Sequence, residues 1–206
     1  MTIAPALLAS LITQHQKFLA TGQGAPASFA GLNLDGVNLT GLNLAGANFA
    51  GASLQNASLL GTNLAGANLA GVNLRGSNLA GAGMPGAKLA GAALDAAILD
   101  SANLNGADLT SATAQGASLQ GAQVVSTKLD GADLSSAKLD SANLMGASLV
   151  SVKLDNASVQ TVNLASAILD GATVNNTNLK GTSVKTTSLK NVNTAAAVNF
   201  KNDKGR

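Results

Sequence analysis

An apolar residue recurs at every fifth position of this chain, from Phe29 to Leu189, and it is bulky at every site except Ala114. Of these 33 sites, 25 are Leu, and the others are two Phe, four Val, Met84 and Ala114. A period of five matches neither an α-helix, with about 3.6 residues per turn, nor the two-residue alternation of a strand. The pattern predicts a solenoid, because a five-residue unit cannot bury its own apolar side chain and must stack on its neighbours.

The other positions of each repeat divide into inward and outward sets. If the bulky residue is called i, position i−2 is Ala at 21 of 33 sites. Extended backbone places i and i−2 on the same side, so we expect both to point towards a central axis. Positions i−1, i+1 and i+2 hold mostly Asn, Ser, Lys, Asp, Thr and Gly, as expected for side chains in water. Four such units would close a square coil of about 20 residues, which makes the fold an all-β solenoid.

Position i+2 is predicted to form the corners of the square. It is Gly at 12 of the 13 sites from Gly31 to Gly91, with Asn56 as the exception. Gly and Asn are the residues that best tolerate a positive φ. After Gly91 only 7 of 20 such sites are Gly. We therefore expect the later corners to change to turns that need no positive φ.

The repeated phrase Ala-(Asn/Asp)-Leu-X-Gly resembles the pentapeptide-repeat family; examples are residues 47–51, 67–71 and 102–106. The resemblance covers about four-fifths of the chain. It implies a right-handed quadrilateral β-helix, here of about eight coils. It does not imply a function, because one fold supports many functions.

The two ends of the chain depart from the repeat, so we divide it into 1–26, 27–191 and 192–206. Residues 1–26 are predicted to form a capping α-helix over the open first coil, with Leu8, Leu11, Ile12, His15 and Leu19 on one face. Members of the family often begin with a similar His-x-x-(aromatic)-Leu segment. Residues 193–198 are predicted to form a short capped helical turn, and 201–206 a frayed tail.

A signal peptide is the competing interpretation of the N-terminal segment. No Lys or Arg precedes its apolar run, and Gln14, Gln16 and Lys17 interrupt it. The run is also too short to span a membrane. With no Cys in the chain and no export signal, and given the family resemblance, we expect a bacterial, cytoplasmic protein without membrane contact.

One outward surface stands out because it is almost uncharged. Its i+1 positions include Val125 and Met145, and Lys185 is its one charged residue. Stacked amides stabilise strands by themselves, so a purely structural role stays open. A flat neutral patch is also what protein partners bury, and we take this surface as the candidate interaction face. Its candidate residues are Asn43, Asn63, Asn103, Gln123, Asn143, Asn163, Val125 and Met145.

None of the remaining candidate features indicates a catalytic site. Residues 81–86 spell G-x-G-x-x-G, but no strand-to-helix transition surrounds them, so the dinucleotide motif lacks its context. The single histidine, His15, has no Cys or Ser-Asp partner for nucleophilic catalysis, and no ligand cluster indicates a metal. We expect no enzyme activity, no cofactor, no metal and no small-molecule substrate. Charged residues 20 apart, such as Arg75 and Asp95, are predicted to stack as surface ion pairs.

Three functions remain open. The first is a structural or protein-interaction scaffold that presents flat β-helix faces to a protein partner. The second, implied by the resemblance, is mimicry of duplex DNA to bind and protect DNA gyrase. Mimicry requires a strongly negative surface, whereas this chain has 12 basic and 10 acidic residues, which also makes nucleic-acid binding unexpected. The third is an ordered-water or ice-binding surface, for which thermal hysteresis is the test.

Overall fold

The computed structural model describes residues 2–199, which wind into a four-sided β-helix between a helix and a short turn. Helix α1 spans Pro5–Thr21, and a 3-10 turn spans Thr194–Ala196. Between them, each i−1 residue from Ser28 to Ile168 pairs in parallel with the residue 20 positions later, beginning with Ser28 and Asn48. Each pairing is a single bridge, and no longer strand forms within residues 2–199. The coil therefore has 20 residues, and the repeats make about eight coils.

Backbone hydrogen bonds explain why five residues suffice for one side and one corner. The N–H groups of i and i+2 donate to the next coil, as in Phe29 to Asn48 at 2.6 Å. The N–H of i−1 donates to the preceding coil, as in Asn48 to Ala27 at 3.0 Å. The N–H of i−2 closes a turn onto the previous central carbonyl, as in Leu32 to Phe29 at 3.1 Å. Only the N–H of i+1 has no place in this backbone pattern.

All the corners share one geometry, so the predicted change after Gly91 is wrong. Every i+2 residue from Gly31 to Asn191 has a positive φ, between 54° and 72°. This includes Ala96 at 55° and Thr161 at 55°, although side chains with a Cβ are strained there. A positive φ at the third residue of a hydrogen-bonded turn is the type II pattern. Stacked coils are bonded above and below, so each corner must follow its neighbours whatever residue occupies it.

Ala96→Gly is expected to stabilise the protein by about 0.5–1 kcal/mol, because it removes the strain of an alanine in the left-handed region. Ala93→Gly is the matched control, since its φ is not positive, and it should destabilise by about 0.5–1 kcal/mol through chain entropy alone. Thermal unfolding measures both variants. A lower melting temperature for Ala96→Gly would contradict the strain assigned to this corner.

Side chains at i and i−2 fill the axis of the coil, as predicted. The central residues from Phe29 to Val184 are buried, and so are all the Ala residues at i−2. Phe29 and Phe49 stack with ring centroids 4.6 Å apart. Threonines at i−2 are buried as well. Each donates its hydroxyl to a central carbonyl of the coil below, as Thr127 does to Leu104 at 2.7 Å, so the buried hydroxyl is satisfied.

Helix α1 covers the first coil and protects its apolar underside. Its side chains Leu8, Leu11 and Ile12 pack against the core cluster, as do Leu32 and Leu42 from the i−2 positions of the first coil. These large residues replace the Ala that predominates at i−2 elsewhere, because a helix and not another coil lies beneath them. In the described part of the chain, no helix has the length and apolarity needed to cross a membrane.

The inward face of α1 differs from the prediction at one residue. Leu19 is 37% exposed, and Phe18 is half-buried instead, with its ring centroid 6.1 Å from that of His15. His15 itself is completely buried. Its Nδ1 accepts the N–H of Ala27 at 3.1 Å, where the chain enters the first coil. Its Nε2 is buried and has no partner of good hydrogen-bond geometry in residues 2–199.

The stability of this cap is expected to depend on pH. Burial lowers the pKa of His15, although the Ala45 backbone acts in the opposite direction. Because the folded pKa lies below the unfolded value of about 6.5, the unfolded chain binds more protons between the two values. The stabilisation is therefore complete above about pH 6.5 and is lost as the pH falls through that range.

Melting temperature against pH measures this effect. His15→Asn is the matched variant, since its amide oxygen replaces Nδ1 as the acceptor for Ala27 but does not titrate. We expect the wild-type melting temperature to fall between about pH 7.5 and about pH 5 while that of His15→Asn stays level. Parallel curves for the two proteins would contradict the role given to His15.

The C-terminal end closes differently from the N-terminal end. The 3-10 turn Thr194–Ala196 has no side-chain cap, so the capping predicted for residues 193–198 is wrong even though the turn is present. Val198 rejoins the ladder by pairing with Asn178, and its N–H donates to Thr177. The predicted frayed tail, 201–206, lies outside the described residues.

Candidate interaction face

The 20-residue coil sorts the outward side chains onto four faces. We number the faces in chain order by their first central residue: Phe29 begins face 1, Leu34 face 2, Leu39 face 3 and Leu44 face 4. Each face carries two columns of outward side chains, one at i−1 and one at i+1. Residues 20 apart lie in the same column on successive coils.

The residue types in these columns follow from the backbone N–H of i+1, because this N–H has no backbone acceptor in the ladder. Where i−1 is Asn, its own side chain accepts this N–H, as Asn33 does from Asp35 at 3.0 Å. Where i−1 is Ser or Thr, an Asp at i+1 of the coil below usually accepts it. Thus Asp35 accepts the N–H of Gln55 at 2.9 Å and also the hydroxyl of Ser53. Both arrangements satisfy a polar group that would otherwise depend on water.

Seven aspartates at i+1 positions hold the coils together by bonding to the next coil. Each accepts a backbone N–H 20 residues later and a hydroxyl 18 residues later; they are Asp35, Asp95, Asp100, Asp130, Asp140, Asp155 and Asp170. Sequence reasoning missed this role. The signal was present, because every one of these residues is followed 18 positions later by Ser or Thr. These carboxylates therefore serve the fold.

The other two described aspartates, at i−1, are also occupied. The hydroxyl and N–H of Thr110 donate to Asp108 and hold the pKa of this carboxyl below its usual value. Burial opposes the ionisation of Asp133. Hydrogen bonds from Ser135 and Gln115 and the charge of Lys153 outweigh it, so its pKa is also lowered.

The predicted charge ladders form in part. Arg75 pairs with Asp95 at 3.0 Å, and Lys153 pairs with Asp133 at 3.4 Å, both at the surface. Asp108 lies between Lys88 and Lys128 in the ladder, but its carboxylate accepts hydrogen bonds from Thr110 and pairs with neither lysine. Such exposed pairs contribute about 0–1 kcal/mol each, so they do not mark a binding site.

Face 4 carries the predicted interaction residues, and the structure brings them together. Its i−1 column runs as an unbroken series of bridges: Asn43, Asn63, Gly83, Asn103, Gln123, Asn143, Asn163 and Ser183. Neighbouring amides bond to each other in parts of this column. Asn63 donates to Asn43 at 3.0 Å, Asn143 to Gln123 at 3.3 Å, and Asn163 to Asn143 at 3.2 Å.

The amide column of face 4 is interrupted once, at Gly83. The corresponding i+1 residue is Pro85, which has no N–H to be satisfied, so the missing side-chain acceptor costs no hydrogen bond. The G-x-G-x-x-G phrase is thereby explained as ordinary repeat structure, with Gly81 and Gly86 at corners. It holds no strand-to-helix turn that would cradle a phosphate.

The i+1 column of face 4 is mostly small or apolar. Met145 is 44% exposed and Val125 is half-buried; between Ala45 and Ala165 the column holds no charge. Faces 1, 2 and 3 all carry both Lys or Arg and Asp. Large apolar residues are exposed on faces 1 and 3 as well, at Leu60, Ile98, Val150 and Ile168. What distinguishes face 4 is its neutrality along the rod.

Across residues 2–199, no group of three or more His, Cys, Asp or Glu is arranged to hold a metal ion. The described aspartates are spread over faces 1, 2 and 3, and His15 is buried on the inward face of α1.

Comparison with known proteins supports the fold. The model of pentapeptide repeats matches eight copies, over residues 33–69, 57–93, 87–123 and 127–164. None of the curated proteins matches the sequence. A similar solved structure is HetL, a pentapeptide repeat protein involved in heterocyst differentiation regulation from the cyanobacterium Nostoc sp. strain PCC 7120. It is 24% identical, with a TM-score of 0.58, over 96% of this chain and 97% of HetL.

Two structures of QnrB1, a plasmid-mediated fluoroquinolone resistance protein, are also similar; both are of trypsin-treated variants. The first is 18% identical, with a TM-score of 0.54, over 77% of this chain and 80% of its own. The second is 21% identical, with a TM-score of 0.52, over 81% of this chain and 78% of its own. At these identities the likeness shows the fold alone, a right-handed quadrilateral β-helix.

Proposed function

Since the chain belongs to the pentapeptide-repeat family, we propose that it is a non-catalytic scaffold whose face 4 binds a protein partner. The observation that carries the proposal is the neutrality of face 4 from Asn43 to Ala165, with Met145 exposed on it. The cores of protein interfaces are depleted in charged residues and enriched in Met, so this surface suits burial. Amides in the i−1 column supply donors and acceptors for such a partner.

The occupied carboxylates weigh against the DNA-mimic alternative. A mimic needs negative charge that is free to replace phosphates. All nine described aspartates instead accept hydrogen bonds within the protein, and seven of them bond to the next coil. Inhibition or protection of gyrase in a DNA supercoiling assay would favour the mimic instead.

Adding charge to face 4 while keeping the side-chain acceptors for its backbone N–H groups tests the proposal; the amide-to-amide bonds of the column are lost equally in the control. Asn143→Asp with Asn163→Asp keeps the acceptors, because Asp108 accepts its i+1 N–H from the same kind of position. The matched control on face 1 is Asn48→Asp with Asn68→Asp. Both pairs lie on adjacent coils and have the same amide contact, at 3.2 Å and 3.1 Å.

The tagged wild type and both double variants are used to capture proteins from an extract of the source organism, with quantification by mass spectrometry. We expect at least one protein to be captured equally by the wild type and the face 1 variant. The face 4 variant should capture about tenfold less of it, since burying two adjacent negative charges at an interface is costly. Equal retention by both variants would refute face 4 as the contact surface.

A further inference from the structure

Charge is distributed unevenly along the sequence. Residues 1–170 contain six basic and nine acidic residues, for a net charge of −3, whereas residues 171–206 contain six basic and one acidic, for a net charge of +5. Within 171–199, the described part of this segment, the charged residues are Lys180, Lys185 and Lys190. The C-terminal end of the rod is therefore positive and the body is weakly negative.

These three lysines, which we call the collar, lie at one height on three adjacent faces. Each occupies an i+1 position of the last full coil, on face 3, face 4 and face 1 respectively, and each is exposed. Within residues 2–199 none of their ammonium groups forms an ion pair, in contrast to Arg75 and Lys153. The equivalent residue on face 2 is Asn175, which is bonded to Asp155. The collar is therefore centred on the C-terminal end of face 4.

We propose that the collar docks an acidic patch of the protein that covers face 4, and so fixes the position of that partner along the rod. This inference rests on the proposed function. A neutral face whose coils share one backbone geometry offers a partner several competing registers, because no charge on this face from Asn43 to Ala165 marks one position. A cluster of charge at one end removes this ambiguity, since complementary charges across an interface set register and steer association.

The arrangement of the lysines suits a protein better than a nucleic acid. They project from three faces of one coil, so a straight duplex lying along the rod would meet one of them. An acidic loop or helix end can instead reach around the corners of a single coil.

Titration with an oligoglutamate peptide, followed by fluorescence anisotropy, tests the collar independently of face 4. Lys180→Gln, Lys185→Gln and Lys190→Gln are combined in one variant. Lys88→Gln, Lys128→Gln and Lys138→Gln form the matched control, because these lysines are also exposed and removing them changes the net charge equally. A short DNA duplex and vesicles with and without phosphatidylserine serve as the other anionic probes.

We expect the wild type to bind oligoglutamate at low salt and to lose affinity as salt is added. The collar variant should bind at least about tenfold more weakly, because it loses three exposed ion pairs with the peptide, each of which is weak alone. The control should bind within about twofold of the wild type, because its three lysines lie outside the collar. No binding by the wild type, equal losses in both variants, or tighter binding of the duplex or the phosphatidylserine vesicles would overturn the proposal. Because the face 4 variants keep the collar lysines, a failure here leaves the proposed function standing.

Discussion

Leu99→Ala is expected to lower the free energy of unfolding by about 2–5 kcal/mol, the largest effect we anticipate from a single side chain. Leu99 is completely buried on the axis of face 3, with Leu79 and Leu119 as its neighbours in the same column. Both neighbours are held by the bonded coils and cannot collapse into the space. The loss therefore combines the transfer energy of the side chain with the cost of a cavity.

Ile98→Ala is the matched control, because it removes a side chain of the same size from the adjacent residue. Ile98 points outward and is 42% exposed, so its loss should change stability by no more than about 0.5 kcal/mol. Chemical denaturation of both variants gives the comparison. Similar losses for the two would mean that the five-residue period does not separate core from surface.

Leu11→Asp is expected to detach helix α1 and to cause the protein to self-associate. Leu11 is partly buried and packs against the core cluster beneath the first coil, so a carboxylate there would be held against apolar side chains without a partner. Once the helix is displaced, Leu32, Val37 and Leu42 are exposed next to an unpaired edge of the ladder. Such an edge is a template for pairing with another chain.

Leu7→Asp serves as the control for this variant, because Leu7 lies on the same helix but is 48% exposed. We expect Leu7→Asp to have the same molar mass as the wild type. Leu11→Asp should form larger species as its concentration rises. Light scattering after size-exclusion chromatography measures both. An unchanged mass for Leu11→Asp would argue that the helix is not needed to cover the first coil.

The five-residue period was enough to predict the core and the 20-residue coil, and the apolar helical face within residues 1–26 predicted the capping helix. Those features depend on where apolar side chains must go, which a sequence displays directly. Ion pairs between stacked residues were predicted with mixed success. Arg75 reaches Asp95 across one coil, but Thr110 binds Asp108 through two short local bonds that compete with any lysine.

Two features could not be read from composition. The loss of Gly after Gly91 suggested a new corner, yet Ala96 and Thr161 keep the old geometry because the coils above and below impose it. The carboxylate bonds at spacings of 18 and 20 depend on the N–H of i+1 that the backbone pattern leaves without an acceptor, which composition does not reveal. The identity of the partner could not be predicted either, because an uncharged surface has no group that would select one class of ligand.

Disulfide formation between introduced cysteines tests the coil length most directly, since every face assignment depends on it. The chain has no cysteine of its own, so there is no background. Ser118→Cys with Lys138→Cys pairs two bridged residues, whose separation of about 4.8 Å lies within the roughly 4.4–6.8 Å that a disulfide spans. We predict rapid oxidation of this pair and none for Lys128→Cys with Lys138→Cys, which lie on opposite faces. Oxidation of the second pair and not the first would contradict the 20-residue coil.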